Sequence, residues 1–254
     1  MKLLFVGDIV GASGCDFFAS KLYGIKKDYG IDITIVNGEN SAEGNGITRQ
    51  SADFLLSNGV DAITTGNHSF KRREAVGIYE NDIILRPANY PDGVIGKGVC
   101  TLDFGRFSLA VINLQGVTYM DSLDNPFTCI DAILEEIDTP NIIVDFHAEA
   151  SAEKKAMGHY LTGKVTAVLG THTHVQTADE IILGSHTAYI TDVGMTGPEL
   201  SVLGVETEIA VEKLRFRYPV MFAESKSPCF LNGVVVDFDE KCGKARSIER
   251  IILR

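Results

Sequence analysis

The chain has 254 residues, 45% apolar and 22% charged, ordinary for a soluble globular fold long enough to bury a sizeable core. A formal net charge of −11 argues against a duplex-binding protein, whose footprint is basic, and it repels phosphate at long range. Five scattered cysteines without a C-x-x-C pair argue against a disulfide framework or zinc knuckle, and no run approaches the ~20 apolar residues of a membrane span.

The apolar start, Met1 to Val6, meets Asp8 too soon to form the core of a signal peptide, so a cytoplasmic protein is expected. Short apolar, β-branched runs then recur, each closed by a polar or glycine-rich turn. They predict buried strands at 3–6, 33–36, 62–65, 109–112, 142–144, 165–169 and 189–190. Helical patterns lie between several of them, at 17–29, 49–58, 125–137 and 151–161. This alternation predicts an α/β fold with substantial parallel pairing. The end differs, because runs at 229–238 and 247–253 flank a charged, Gly-containing turn and predict an antiparallel hairpin. No linker or repeat divides the chain, so one domain over 1–254 is expected. The 181–183 run and Phe216-Arg217-Tyr218 fit core or edge positions.

In open α/β sheets, ligands bind beyond the carboxyl ends of the strands. Asp8, Glu39, Asn40, Asn67, His68, His147, His172 and His174 all follow a strand run directly. One such residue is usually a turn former; five such segments in one chain argue for a site. Imidazole and carboxylate together suit Zn, Fe and Mn. His172 and His174 are two residues apart. On an extended segment they would point the same way, and on a tight turn they could serve two neighbouring metals; spacing alone leaves both open. His159 and His186 fit solvated positions, and Asp145 and Asp192 could orient histidines from behind.

The order Asp8, Gly38-Glu39-Asn40, Gly66-Asn67-His68, His147, Gly170-Thr171-His172-Thr173-His174 resembles the calcineurin-like metallophosphoesterases. Further stretches resemble one branch, the YmdB-like phosphodiesterases: Gly7-Asp8-Ile9-Val10-Gly11, Arg86-Pro87-Ala88-Asn89, Ile112-Asn113-Leu114-Gln115-Gly116, Asp145-Phe146-His147-Ala148-Glu149-Ala150, and residues 171–178 and 189–198. The resemblance implies a four-layer αββα sandwich of two mixed sheets flanked by helices. It implies a dinuclear centre of divalent or trivalent ions, iron or manganese first and zinc as an alternative. It implies hydrolysis of a small phosphodiester, a 2′,3′-cyclic or also a 3′,5′-cyclic nucleotide, by a metal-bridging hydroxide. No duplex nucleic acid and no membrane are expected as partners, and a homo-oligomer is left open.

Val10 stands where the general signature has a histidine, and Glu39 where it has a bridging aspartate. The resemblance therefore assigns Asp8, Glu39, Asn40 and His174 to one metal, and Glu39, Asn67, His147 and His172 to the other. His68, beside Asn67, is expected as the general acid for the leaving oxygen. Residues 191–198 are expected to rim the pocket. Cys15 and Val117 replace arginines usual in the branch, and Lys71 replaces an acidic residue, which bears on substrate preference. A phosphomonoesterase or nucleotidase on the same metals, and a slow-turnover cyclic-nucleotide sensor, are the competing expectations.

Overall fold

A computed structural model describes all 254 residues. The chain runs β1 (Lys2–Val6), β2 (Asp8–Ile9), α1 (Gly11–Tyr29), β3 (Ile33–Asn37), α2 (Arg49–Ser57), β4 (Ala62–Thr64), a 3-10 helix (Arg73–Glu80), β5 (Val99–Asp103) and β6 (Ser108–Gln115). It continues through α3 (Pro126–Glu136), β7 (Ile142–His147), α4 (Ser151–Tyr160), β8 (Ala167–Thr171), β9 (Ile181–Leu183), β10 (Thr187–Ile190), β11 (Met195–Pro198), α5 (Thr207–Phe216), β12 (Cys229–Phe238) and β13 (Ala245–Leu253).

The strands form two mixed sheets. One has seven strands in the order β2-β11-β12-β1-β3-β4, with β13 on the free side of β12; the other has six, in the order β5-β6-β7-β8-β10-β9. Burial on both faces explains why the strands read as continuous apolar runs. In β1, Leu3 and Phe5 enter the core between the sheets with Val111, Ile143, Leu169 and Ile190. Leu4 and Val6 enter a different core with Phe18 and Leu22 of α1 and Leu55 of α2. On the far side, Ile112 and Val144 pack with Ile130 of α3 and Met157 of α4. The layers are therefore helix, sheet, sheet, helix, as the resemblance implied. No helix is long and apolar enough to cross a membrane.

Local signals set the helix ends. Thr48 and Ser51 form a reciprocal capping box at the start of α2, and Asn125 caps α3 ahead of Pro126. Gly30, at φ 68°, closes α1 in the left-handed region. The terminal hairpin forms, but not at the margin: β12 also pairs antiparallel with β1, which places it inside the sheet.

Two expectations need correction. Phe216 and Tyr218 are neither core nor edge strand; they stack on each other at the end of α5 and stay about half exposed. Residues 191–198 are buried below the pocket instead of rimming it, because 195–198 form β11. That strand matters for position. β12 pairs with β1 at 233–237 and then, along the same edge, with β11 at 229–231. The chain leaving β1 is pushed aside at Gly7, and β2 pairs with β11 instead. A Cβ on Gly7 would lie 1.9 Å from the Gly194 carbonyl oxygen, so only glycine allows this close crossing. Asp8 begins directly at the displaced strand.

Candidate metal centre

The expected residues come from both sheets. Asp8, Glu39, Asn40, Asn67 and His68 follow or begin strands of the seven-stranded sheet, and His147, His172 and His174 sit at the ends of β7 and β8 in the other. The cluster thus exists only when the sandwich is closed. Gly66 permits the approach across the seam, since a Cβ there would fall 2.1 Å from the His147 ring.

Around His147, three groups converge. Its Nε2 lies 2.9 Å from Asn67 Oδ1, 3.1 Å from His172 Nδ1 and 3.3 Å from Glu39 Oε1. Glu39, His147 and His172 form a three-residue group with metal-ligand spacing. A second group forms around Asp8. Asn40 Nδ2 lies 3.5 Å from Asp8 Oδ1 and 3.3 Å from His174 Nε2, and that nitrogen is 3.6 Å from Asp8 Oδ1. Glu39 joins the two groups, with Oε1 also 3.0 Å from Asn40 Nδ2. Asn40 turns its amide nitrogen toward Asp8 and its Oδ1 toward His68 Nδ1, 2.9 Å away. An amide nitrogen has no free lone pair to give a metal, so coordination by Asn40 requires its amide to turn over.

The backbone settles the spacing of the two histidines. His172 and His174 both have positive φ, 103° and 64°, on a turn after β8. They are not on an extended segment. Each positive φ is costly for a side chain with a Cβ, by about 1–3 kcal/mol, and is held by its surroundings. The His172 N–H donates to Asp8 Oδ2 at 3.2 Å, and the Thr173 N–H to Asp192 Oδ2 at 3.0 Å. The same Asp192 oxygen accepts from Lys154 Nζ at 2.6 Å, and both side chains of that pair are buried. Asp192 therefore fixes the turn through the backbone and not through an imidazole.

Asp145 does act on a histidine, through one intermediary. The Thr171 hydroxyl donates to Asp145 Oδ1 at 2.7 Å and so must accept from His147 Nδ1 at 2.9 Å. That holds the proton of a neutral His147 on Nδ1 and turns the Nε2 lone pair to the cluster. His172 is flanked similarly: Glu149 Oε2 lies 3.0 Å from its Nε2, leaving Nδ1 for the cluster. The sequence pattern does not point to Thr171 or Glu149, although both neighbour expected ligands; nothing in residue type separates a hydroxyl that orients an imidazole from one that ends a strand.

The electrostatics fit a cation site. Burial would lower the pKa of His147, but Glu39, Asp8 and Asp145 reverse this and raise it to about 9. Burial likewise opposes the shift at His174, which Asp8 raises. Against their own burial, Asp8 and Glu39 are held below the usual carboxylate range by the neighbouring histidines. Without a metal, protons balance these carboxylates. His172 is pushed down to about 4 by burial and by His147, which leaves it neutral and able to donate a lone pair. Buried nitrogen and oxygen donors around two carboxylates match what first-row ions require.

A cavity of about 720 Å³ opens on the cluster and is lined by Glu39, Asn40, His68, Glu149, His172 and His174, among others. His68 Nε2 makes no hydrogen bond within the chain, while Nδ1 is held between Asn40 and Glu39 Oε1, the latter 3.1 Å away. Of the divergent positions, Cys15 is buried with its thiol toward the Ser41 carbonyl, Val117 donates its N–H to Glu153, and Lys71 is exposed; none lines this cavity. His159 is exposed on α4, and His186 is half-buried in the turn between β9 and β10.

The model of the YmdB-like proteins matches residues 4–251. The chain belongs to the YmdB-like family. Across its whole length this family member is 44% identical to the 2′,3′-cyclic-nucleotide 2′-phosphodiesterase of Bacillus subtilis (strain 168), 97% of which is covered. It superposes with a TM-score of 0.94 on a phosphatase from Mycoplasma pneumoniae, at 34% identity over 100% of this chain and 93% of that one. The calcineurin-like phosphoesterase YfkN of Bacillus subtilis shares the fold, with a TM-score of 0.57 at 11% identity, covering 100% of this chain and 90% of that one. The YmdB-like chain is an enzyme, a phosphoric ester hydrolase.

Proposed function

We propose that the protein is a metal-dependent phosphodiesterase that opens cyclic nucleotides, the 2′,3′-cyclic ones first. The convergence of Asp8, Glu39, Asn67, His147, His172 and His174 beside an open cavity carries the proposal. Identity to the Bacillus subtilis 2′,3′-cyclic-nucleotide enzyme supports the substrate class.

Asn67, His147 and His172 would hold one ion and Asp8, Asn40 and His174 the other, with Glu39 between them; iron or manganese suits these donors, and zinc is the alternative. When bound, such ions polarise the phosphoryl oxygens and lower the pKa of water. Thr171 and Glu149 fix which nitrogen of His147 and His172 faces the cluster. Asp192 keeps the turn that separates His172 from His174.

A ribose alkoxide leaves poorly and needs a proton. His68 supplies it: with the Asn40 amide turned over to ligate, its N–H would donate to His68 Nδ1, which puts the ring proton on Nε2, the nitrogen without a partner in the chain, on the cavity wall. Charge favours a diester over a monoester. Lys213 is the sole lysine or arginine lining the cavity, and it is engaged over the Phe222 ring. A monoester dianion would find no further cation.

A substrate panel tests this. With Mn²⁺ or Fe²⁺, 2′,3′-cyclic nucleotides should be turned over, with 3′,5′-cyclic ones slower and monoesters slowest. Turnover confined to monoesters would make the protein a nucleotidase. Tight binding of a cyclic nucleotide without turnover would make it a sensor.

A further inference from the structure

The cavity has two chemically different ends. Polar donors stand at one, and at the other Leu203 from the loop before α5, Leu214 from α5 and Phe222 from the segment after it make an apolar wall. The reacting ester needs no such wall. These three side chains are 48%, 64% and 53% exposed, in a chain that buries most of its large apolar residues. Apolar walls facing a few convergent polar groups are typical of small-molecule sites.

The wall is held in place. Leu203 has φ 55°, a left-handed conformation that a leucine keeps only when its surroundings enforce it. Its carbonyl accepts from His174 Nδ1 at 3.3 Å while its side chain faces the cavity, so one residue joins the polar end to the apolar end. The segment carrying Phe222 is tied down directly after it. The Glu206 N–H donates to the Ala223 carbonyl, and the Ser225 N–H to the Gly204 carbonyl, each at 2.9 Å. The Glu224 carboxylate accepts from the Ser13 hydroxyl in the first turn of α1. Lys213 Nζ lies 4.5 Å from the centre of the Phe222 ring and holds it.

We infer that Leu203, Leu214 and Phe222 form the nucleobase subsite, with the base stacked on Phe222 and flanked by the two leucines while the phosphate meets the metal cluster. This assignment rests on the phosphodiesterase proposal. Stacking uses the π face that every base has, so it tolerates all four. The three wall side chains carry no hydrogen-bonding group that would read a base edge. Purines, with more ring to cover, bind better than pyrimidines.

The test compares 2′,3′-cyclic AMP with ethylene phosphate, a five-membered cyclic diester without a base. In Phe222→Ala, the ratio of kcat/KM for the nucleotide to that for ethylene phosphate should fall about tenfold, through KM for the nucleotide. Phe222→Tyr should keep the ratio, and metal content measured by elemental analysis should match the parent in both. An unchanged ratio in Phe222→Ala, or an equal loss on both substrates, would overturn the subsite. If the parent enzyme splits only monoesters, the diester proposal fails separately; the same ratio, taken between adenosine monophosphate and glycerol phosphate, then decides the subsite.

Discussion

His147 closes β7 and His174 lies three residues past β8, yet the chain holds the two imidazoles by different means. His147 is fully buried, and its far nitrogen is fixed by a chain of hydrogen bonds, Thr171 to Asp145, that lies inside the sandwich. His174 is fixed by a loop carbonyl, Leu203, and stands 3.6 Å from Asp8. The first half is built once the sheets close. The second is complete only when the loop before α5 is seated. Coordination that depends on a loop is the weaker, since loops open at lower cost than core strands. The His147 half should therefore bind its ion more tightly, and the Asp8 half should be the one found partly filled.

The largest expected effect comes from the residue the halves share. Glu39→Ala should lose nearly all bound metal, whereas Asp8→Ala should lose about one equivalent; elemental analysis distinguishes them, and one equivalent retained in Glu39→Ala would show that the halves do not share it. Next, His68→Ala should keep its metal and lose about 10²–10⁴-fold in kcat. Normal turnover of 2′,3′-cyclic AMP by that variant would remove His68 from its role.

Proton competition follows. The pKa of His147 is raised from 6.5 to about 9 in the metal-free chain, so its pairing with Glu39 stabilises that chain fully below pH 6.5 and ceases to do so as pH rises through about 9. Metal must displace that proton, so affinity should rise about tenfold per pH unit between 7 and 9 while metal-free stability declines. Calorimetric titrations in buffers of different ionisation enthalpy would show the released proton; a flat profile would contradict the pairing.

Thr171→Val should weaken metal affinity by about 10–100-fold, at the His147 half alone. Glu149 is half exposed, so Glu149→Gln should sit near the lower end of that range. Competition with a chelator would measure both. If Thr171→Val instead emptied the Asp8 half first, the contrast between the halves would be reversed.

Much of the fold was legible because its central strands are buried on both faces. The runs at 3–6, 33–36, 109–112 and 165–169 had to be largely apolar; they predicted β1 and β3 to within a residue, the first half of β6, and β8 two residues early. β2 and β11 were not legible. They are two and four residues long, and Met195-Thr196-Gly197-Pro198 looks like a turn until β12 is beside it. α5 was missed because it buries only Ala210, so no apolar stripe marked it. α1 begins at Gly11, six residues before the predicted start, since Gly11 and Gly14 are poor helix formers but fit against Glu224 and the Thr196 carbonyl. Edge strand β5 carries a mixed pattern that a loop could share.

For the centre, the sequence by itself determined the chemistry. Each carboxylate, amide and imidazole of the cluster opens, closes or follows a strand, and residue type alone said which atoms could bind a cation. Tertiary structure decided which atoms meet. Glu39 reaches His147 only because two sheets pack face to face, and Asp8 lies where it does because β11 pushes the chain aside at Gly7. It also decided the orientation of each ring, through Thr171, Glu149 and the Leu203 carbonyl. Those contacts join residues 23 to 29 positions apart, and sequence periodicity carries information only over the length of one element.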